Sequence, residues 1–332
     1  MAGHVDHSNV YHVRQRSHWD CGIACAAMVL RWLYDTWHHA SLASRAGAVD
    51  APLSSPCTVP GPTQVLLRLH DALEFLGIGT SVWTIDLFRL LNHILRSSNT
   101  ASLPDLASCV SFTTRTLGID PAHGKEPFYE VALTSDHDRI AASFASCQQS
   151  ENVAKRTLLL DDLVGLLDAG GIAIVLVDAR GLHCVECHSG AACNNISLNF
   201  LSRSRHGSMT GASESTSSDT SRPRSLSSGV LACASSSDHN VLNAAQLGAD
   251  KANTSYEREF CELASAPLDL ERDVGYAGHY VVLRGYSRPA TGPMLFYVND
   301  PGRDHPRCTV LASQFDISRT DDDLILVTAP SR

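Results

Sequence analysis

The chain has no apolar run approaching the roughly 20 residues that a membrane-spanning helix needs. Its first residues, Met1 to His7, show neither the basic nor the apolar region of a secretory signal. Basic side chains are in the minority, 26 Lys and Arg against 35 Asp and Glu, for a net charge of −9. An acidic surface favours neither nucleic acid nor anionic lipid, so no nucleic-acid and no membrane partner is expected. Aromatics are sparse at 6% and charged residues reach only 18%, while apolar residues make up 44%. That is a globular composition with ample material for a core, and 332 residues suffice for one large domain or two ordinary ones. No internal repeat is visible. Cysteine is not scarce, but 11 is an odd number in a chain with no export signal. Reduced thiols in a cytoplasmic, or nuclear, protein are therefore expected rather than a disulfide framework.

The most informative stretch is residues 12–34. A short extended run from Tyr11 to Gln15 breaks at Arg16, Ser17 and His18. Beyond Asp20 the apolar residues Ile23, Ala24, Ala27, Met28, Leu30 and Leu33 recur near helical spacing. Asp20 is a natural N-cap acceptor, which places Cys21 in the first turn, at the positive end of the macrodipole. That position favours a thiolate, the form that attacks carbonyl carbon. Gly22 lets backbone or substrate come close. Gln15, six residues upstream, carries an amide that can help the Cys21 N–H hold an oxyanion. The alternative is a small buried hydrophobe, which Cys25 one turn later is expected to be.

Residues 40–62, with Pro52, Pro56, Pro60 and Pro62, read as a loop. Helices are expected over 63–76, within 81–95 with Thr84 as a candidate cap, over 136–148, and over 157–169 ending at Gly170 and Gly171. Cys109 to Leu117 reads as a strand, and the unbroken apolar run Ile172 to Asp178 as a central strand covered on both faces. Residues 194–255 are rich in Ser, Thr, Ala, Asn and Gly, and read as a disordered insertion that cannot bury enough surface to offset its ordering entropy. Two further strands, Gly278–Tyr286 and Met294–Pro301, form an antiparallel hairpin, followed by a short helix and a last strand near the C-terminus.

The hairpin supplies what a cysteine nucleophile lacks. His279 opens its first strand and Asp300 closes its second, so an imidazole and a carboxylate become neighbours at one end of a sheet. The set Gln15, Cys21, His279 and Asp300 then divides into oxyanion donor, nucleophile, general base and orienter. Each has a plain reading beside it: His279 as a structural histidine, Asp300 before Pro301 as a turn former.

The quoted pieces His18-Trp-Asp-Cys-Gly-Ile-Ala-Cys25, Trp83-Thr-Ile-Asp-Leu87, Thr116-Leu-Gly-Ile-Asp120, Ala173-Ile-Val-Leu-Val-Asp178 and Gly278-His-Tyr-Val-Val-Leu-Arg-Gly-Tyr286, with Asp321-Asp-Asp-Leu324, together resemble the eukaryotic guanylyl cyclase domain-containing protein family. More distantly the pattern is similar to the papain-like fold of bacteriocin-processing cysteine peptidases. The family name implies conversion of GTP to cGMP, and the motifs imply a thiol hydrolase scaffold. A cyclase needs acidic metal ligands and a polar nucleotide pocket. The acidic runs at 161–162 and 321–323 read as solvated faces. Gly118 to Glu126 imitates a phosphate loop but has the wrong spacing, and Glu126 stands where Ser or Thr is required. Cys184 and Cys187, flanked by His183 and His188 with Cys193 beyond, have zinc-ligand spacing or are ordinary thiols.

The expectation is an α+β chain of papain-like architecture, a single domain over 1–332 with its N-terminal helix on an antiparallel sheet. Its expected activity is thiol-dependent hydrolysis of a peptide or protein substrate through Gln15, Cys21, His279 and Asp300, with no cofactor and no metal. The alternatives are guanylyl cyclase activity and a non-catalytic interaction module on a peptidase-like fold.

Overall fold

A computed structural model describes residues 3–46, 60–97, 105–121, 127–147, 150, 152–186, 277–305, 307–319 and 322–330. In chain order these form β1 (Gly3–Asp6), α1 (Cys21–Ala46), α2 (Pro62–Phe75), α3 (Thr84–Ser97), β2 (Val110–Thr114), α4 (Pro127–Cys147), β3 (Val153–Lys155), α5 (Leu160–Asp168), β4 (Ile172–Asp178), β5 (Gly278–Arg288), β6 (Leu295–Asn299), β7 (Cys308–Leu311), α6 (Ala312–Ser318) and β8 (Leu324–Val327). All of them fall within the unit that joins residues 1–198 to 272–332. The insertion expected over 194–255 lies outside the described residues. So does most of the loop expected over 40–62, although α1 runs on to Ala46. No helix among the described residues is long and apolar enough to cross a membrane.

The strands form one eight-stranded sheet in the order β3-β2-β8-β4-β5-β6-β7, with β1 also paired to β5. The sheet is mixed rather than antiparallel, because β3 runs parallel to β2. That correction has a local cause: α4 carries the chain between β2 and β3, and a crossover of this kind returns the second strand in the direction of the first. The other pairings are antiparallel. Strand β5 is long enough to hold β4 along Gly278–Leu283 and β1 along Gly285–Arg288 of the same edge.

The unbroken apolar sequence of β4 follows from its position. Ile172, Ile174 and Leu176 pack with Met28, Leu33, Leu91 and Phe112 in one core, while Ala173, Val175 and Val177 pack with Leu163, Leu167, Phe296 and Phe315 in a second. Helices α1 to α4 supply the first core and α5 and α6 the second, so the sheet is covered on both faces. Each such side chain contributes about 1.5–3 kcal/mol by leaving water. The turn between α5 and β4 needs glycine. Gly170 has φ +83°, and a Cβ on Gly171 would lie 2.8 Å from the Val327 carbonyl oxygen.

Candidate functional site

Helix α1 begins at Cys21, as its apolar spacing predicts, and is buried over most of its first four turns. The entry differs from the expected cap. The Asp20 backbone carbonyl accepts the Ala24 N–H at 2.9 Å. Its carboxylate turns the other way, accepting the Arg16 N–H at 3.0 Å and the Ser17 N–H at 2.9 Å. The loop's own amides are nearer to this short side chain than those of the first helical turn, so the carboxylate closes the loop instead of capping the helix.

Strand β5 carries His279 and the end of β6 leads to Asp300. The register pairs Val282 with Asn299, with a bulge between Leu283 and Gly285. The two functional side chains then meet, with His279 Nε2 donating to Asp300 Oδ1 at 2.7 Å. Cys21 lies beside them: it contributes to the raised pKa of His279, and a Cβ on the next residue, Gly22, would lie 3.1 Å from Cδ2 of Tyr280, the neighbour of His279. Around Gly302 the parts converge: a Cβ there would lie 3.2 Å from Asp300 Oδ1, 3.6 Å from Gln15 Oε1 and 3.6 Å from His279 Cε1. The structure therefore brings Gln15, Cys21, His279 and Asp300 to one place from three parts of the chain.

The geometry bears on two of the expected roles. Gln15 Nε2 donates one of its two N–H groups to the Ser17 carbonyl at 3.1 Å, while its Oε1 is buried without a partner among the described residues. His279 is not a free base. Burial alone would lower its pKa, but the Asp300 charge and hydrogen bond, with the contribution of Cys21, raise it from 6.5 to about 10. Burial pushes Asp300 up, and the His279 charge, the His279 hydrogen bond, Arg303 and the Gly302 N–H together bring it below the usual carboxylate value. An imidazolium–carboxylate pair thus stands at the centre at neutral pH.

Several supporting residues carry no sequence signal. His12 Nε2 contacts the Asp300 carbonyl at 3.0 Å, and the Gln15 N–H donates to the Pro301 carbonyl at 2.9 Å. The wholly buried Asn299 donates from Nδ2 to the Val10 carbonyl at 3.1 Å. Together they lash the segment 10–15 to the loop that carries Asp300. One histidine among 16 has no spacing to mark it out, and only the asparagine preceding Asp300 was within reach of motif reading.

A second polar cluster lies between α3 and α4. Arg139 pairs with Asp86 and with Asp136, the latter at 3.1 Å, and Trp83 Nε1 donates to Asp136 at 3.2 Å. Burial raises Asp86 above its usual value, against the opposing pull of Arg139. Both carboxylates are engaged by the guanidinium. Among the described residues no group of three or more His, Cys, Asp or Glu could hold a metal ion. Of the zinc-spaced residues, Cys184 is buried in a bridge to Val310, while Cys187, His188 and Cys193 lie outside the described residues, as does much of the phosphate-loop imitation at 118–126. A cleft of about 120 Å³ opens beside the start of α1, lined by Arg14, Arg16, Ser17, Trp19, Leu66 and His70 among others.

Comparison with known proteins corrects the functional expectation. Residues 61–209 match the family model described as Guanylylate cyclase. The curated relative Guanylyl cyclase 1 of Arabidopsis thaliana is 31% identical over 176 residues, which is 52% of this chain and 48% of that protein. The chain thus spans about half the length of this relative. No solved structure matches the chain. Both names point away from a thiol-dependent hydrolase, and the reading of Gln15, Cys21, His279 and Asp300 as a peptidase site is withdrawn. The match also begins at α2, between the quoted pieces 18–25 and 83–87. Residues 61–209, the stretch from α2 to beyond β4, are similar to the guanylylate cyclase family.

Proposed function

We propose that this chain is a guanylyl cyclase-type protein that converts GTP to cGMP and pyrophosphate. The observation that carries the reading is the family match over 61–209, joined by the similarity to Guanylyl cyclase 1. In the reaction the ribose 3′-oxygen bonds to the α-phosphorus, the bond from that phosphorus to the bridging oxygen breaks, and the hydroxyl proton passes to water. Pyrophosphate is the leaving group. Arg14, which also pairs with Asp304, and Arg16 in the cleft beside α1 offer positive charge to a polyphosphate next to the Asp20 carboxylate. The adjoining centre of Gln15, Cys21, His279 and Asp300 is read as part of the same site. There the imidazolium of His279 stabilises charge on the departing pyrophosphate and can protonate it. The cleft is smaller than the roughly 300–1,000 Å³ of typical ligand pockets, so it takes part of the nucleotide.

The described residues do not fit an acidic metal cage, because Asp86, Asp136 and Asp300 are all engaged by basic side chains. No step is therefore routed through a metal. For the architecture, the start of α1 set against the His279 end of β5 favours a papain-like arrangement. The cytoplasmic or nuclear setting belongs to the same proposal.

The experiment is to incubate the full chain with GTP and measure cGMP and pyrophosphate by mass spectrometry, with and without Mg²⁺ or Mn²⁺. Equimolar cGMP and pyrophosphate, reduced by His279→Gln, are expected. Absence of cGMP under every condition would overturn the reading.

A further inference from the structure

We propose that Cys21 is a site of reversible oxidation by hydroperoxides, its sulfur forming the new bond while the His279 ring, fixed by Asp300, hands a proton to the departing oxygen. Three placements carry this. Cys21 stands at the first position of α1, where helix N–H groups lack intrahelical partners. It stands beside His279, since a Cβ on the adjoining Gly22 would lie 3.1 Å from Tyr280, and His279 is in turn held by Asp300 at 2.7 Å. It is buried but keeps 7% of its surface exposed, whereas Cys25 one turn on has none.

The chemistry balances. The Cys21 thiolate attacks one peroxide oxygen, a sulfur–oxygen bond forms, and the oxygen–oxygen bond breaks with its electron pair on the departing oxygen. Sulfur gives up two electrons and the peroxide gains them. The departing hydroxide, or alkoxide, takes the proton of the His279 imidazolium and leaves as water or an alcohol. The product is a sulfenic acid at Cys21 beside a neutral imidazole. The protonated state of His279 at neutral pH suits it to this donor role.

Cys25, one turn along α1, is unsuited to form a disulfide with Cys21. Burial pushes its thiol well above the ordinary value, and the neighbouring Cys21 and Asp300 charges push in the same direction. A thiol held protonated is a poor attacker. The sulfenic acid therefore persists until a small external thiol condenses with it, releasing water and leaving a mixed disulfide. A second external thiol then regenerates Cys21 and departs as the small-molecule disulfide.

The test treats the full chain with hydrogen peroxide in the presence of dimedone and maps the adduct by mass spectrometry. Labelling of Cys21 at least ~10-fold faster than Cys25 is expected, along with recovery of the free thiol by glutathione. The Cys21 rate should fall several-fold in Asp300→Asn. Equal labelling of the two cysteines in the unaltered protein would overturn the proposal without recourse to any variant, and so would an unchanged Cys21 rate in a folded Asp300→Asn protein. The readout is an adduct at Cys21 and requires no GTP, so its failure and the failure of the cyclase reading are separately visible.

Discussion

Replacing Asp300 by Asn removes the charge that keeps His279 protonated and leaves a side chain of nearly the same shape. In the native protein that charge helps raise His279 from 6.5 to about 10 against an opposing burial effect. At about 1.4 kcal/mol per pH unit, the difference corresponds to an upper bound of about 5 kcal/mol favouring the protonated folded form, shared with the Cys21 contribution. Breaking a buried pair by removing one partner costs about 3–5 kcal/mol, the same range by an independent route. In Asp300→Asn burial acts with much less opposition, so the imidazole becomes neutral at neutral pH. The pH dependence has a definite sign. A pKa raised in the folded state contributes stability that is complete below 6.5 and is lost as pH rises through about 10. The depressed Asp300 works at the other end, contributing above its ordinary value of 3.8 and losing that contribution as the solution becomes more acidic. Nitrogen-detected imidazole NMR follows His279 directly, and urea unfolding at pH 6 and pH 10 follows stability. The native protein should lose stability between those two points, and the variant should lose much less. A His279 titration that stays near 10 in Asp300→Asn, or native stability that is flat over this range, would refute the reasoning.

Two further substitutions test the frame around the site. A Cβ on Gly285 would lie 2.4 Å from the Val5 carbonyl oxygen and 3.0 Å from Asp6 Cα, both on backbone, so Gly285→Ala should push β1 off β5. A loss of about 1–3 kcal/mol in chemical unfolding is expected, with faster amide exchange over Gly3–Asp6. Asp86 is fully buried against Arg139, and Asp86→Ala leaves that guanidinium with Asp136 as its remaining carboxylate between α3 and α4. It should cost about 3–5 kcal/mol by thermal or urea unfolding, and a loss under 1 kcal/mol would show that the pair is not stabilising.

Much of this architecture can be read from the residues, and the reasons are local. Periodicity marks α2, α3 and α5 because each has one apolar face, and the run at 172–178 marks β4 because both of its faces are covered. The meeting of His279 with Asp300 is legible because it depends on one hairpin and its register. The direction of β3 is not, since three residues, Val153 to Lys155, carry no information on the strand they join. Nor is the orientation of Gln15, where an amide of fixed identity turns its acceptor inward because the Ser17 carbonyl captures one of its donors. The protonation of His279 lies beyond sequence as well. A histidine expected to act as a base becomes a cation because burial and a single carboxylate compete, and only the 2.7 Å contact decides between them.

The stretch that resembles a cyclase and the centre that could react come from different parts of the chain, yet one sheet joins them. Residues 61–209 contain β4, and the centre lies on β5 and at the start of α1, outside the match. Val177 of β4 pairs directly with His279, and Thr84, the first residue of α3, hydrogen-bonds through its hydroxyl to Tyr280 at 3.0 Å. Two residues adjacent on β5 are therefore fixed from within the matched segment. A nucleotide held in the cleft by Arg14 and Arg16 on one side and His70 of α2 on the other would draw on both parts. If Cys21 or His279 variants keep full cGMP formation while changes at Arg14 or His70 abolish it, the nucleotide is turned over along α2, and the imidazolium centre has a separate use.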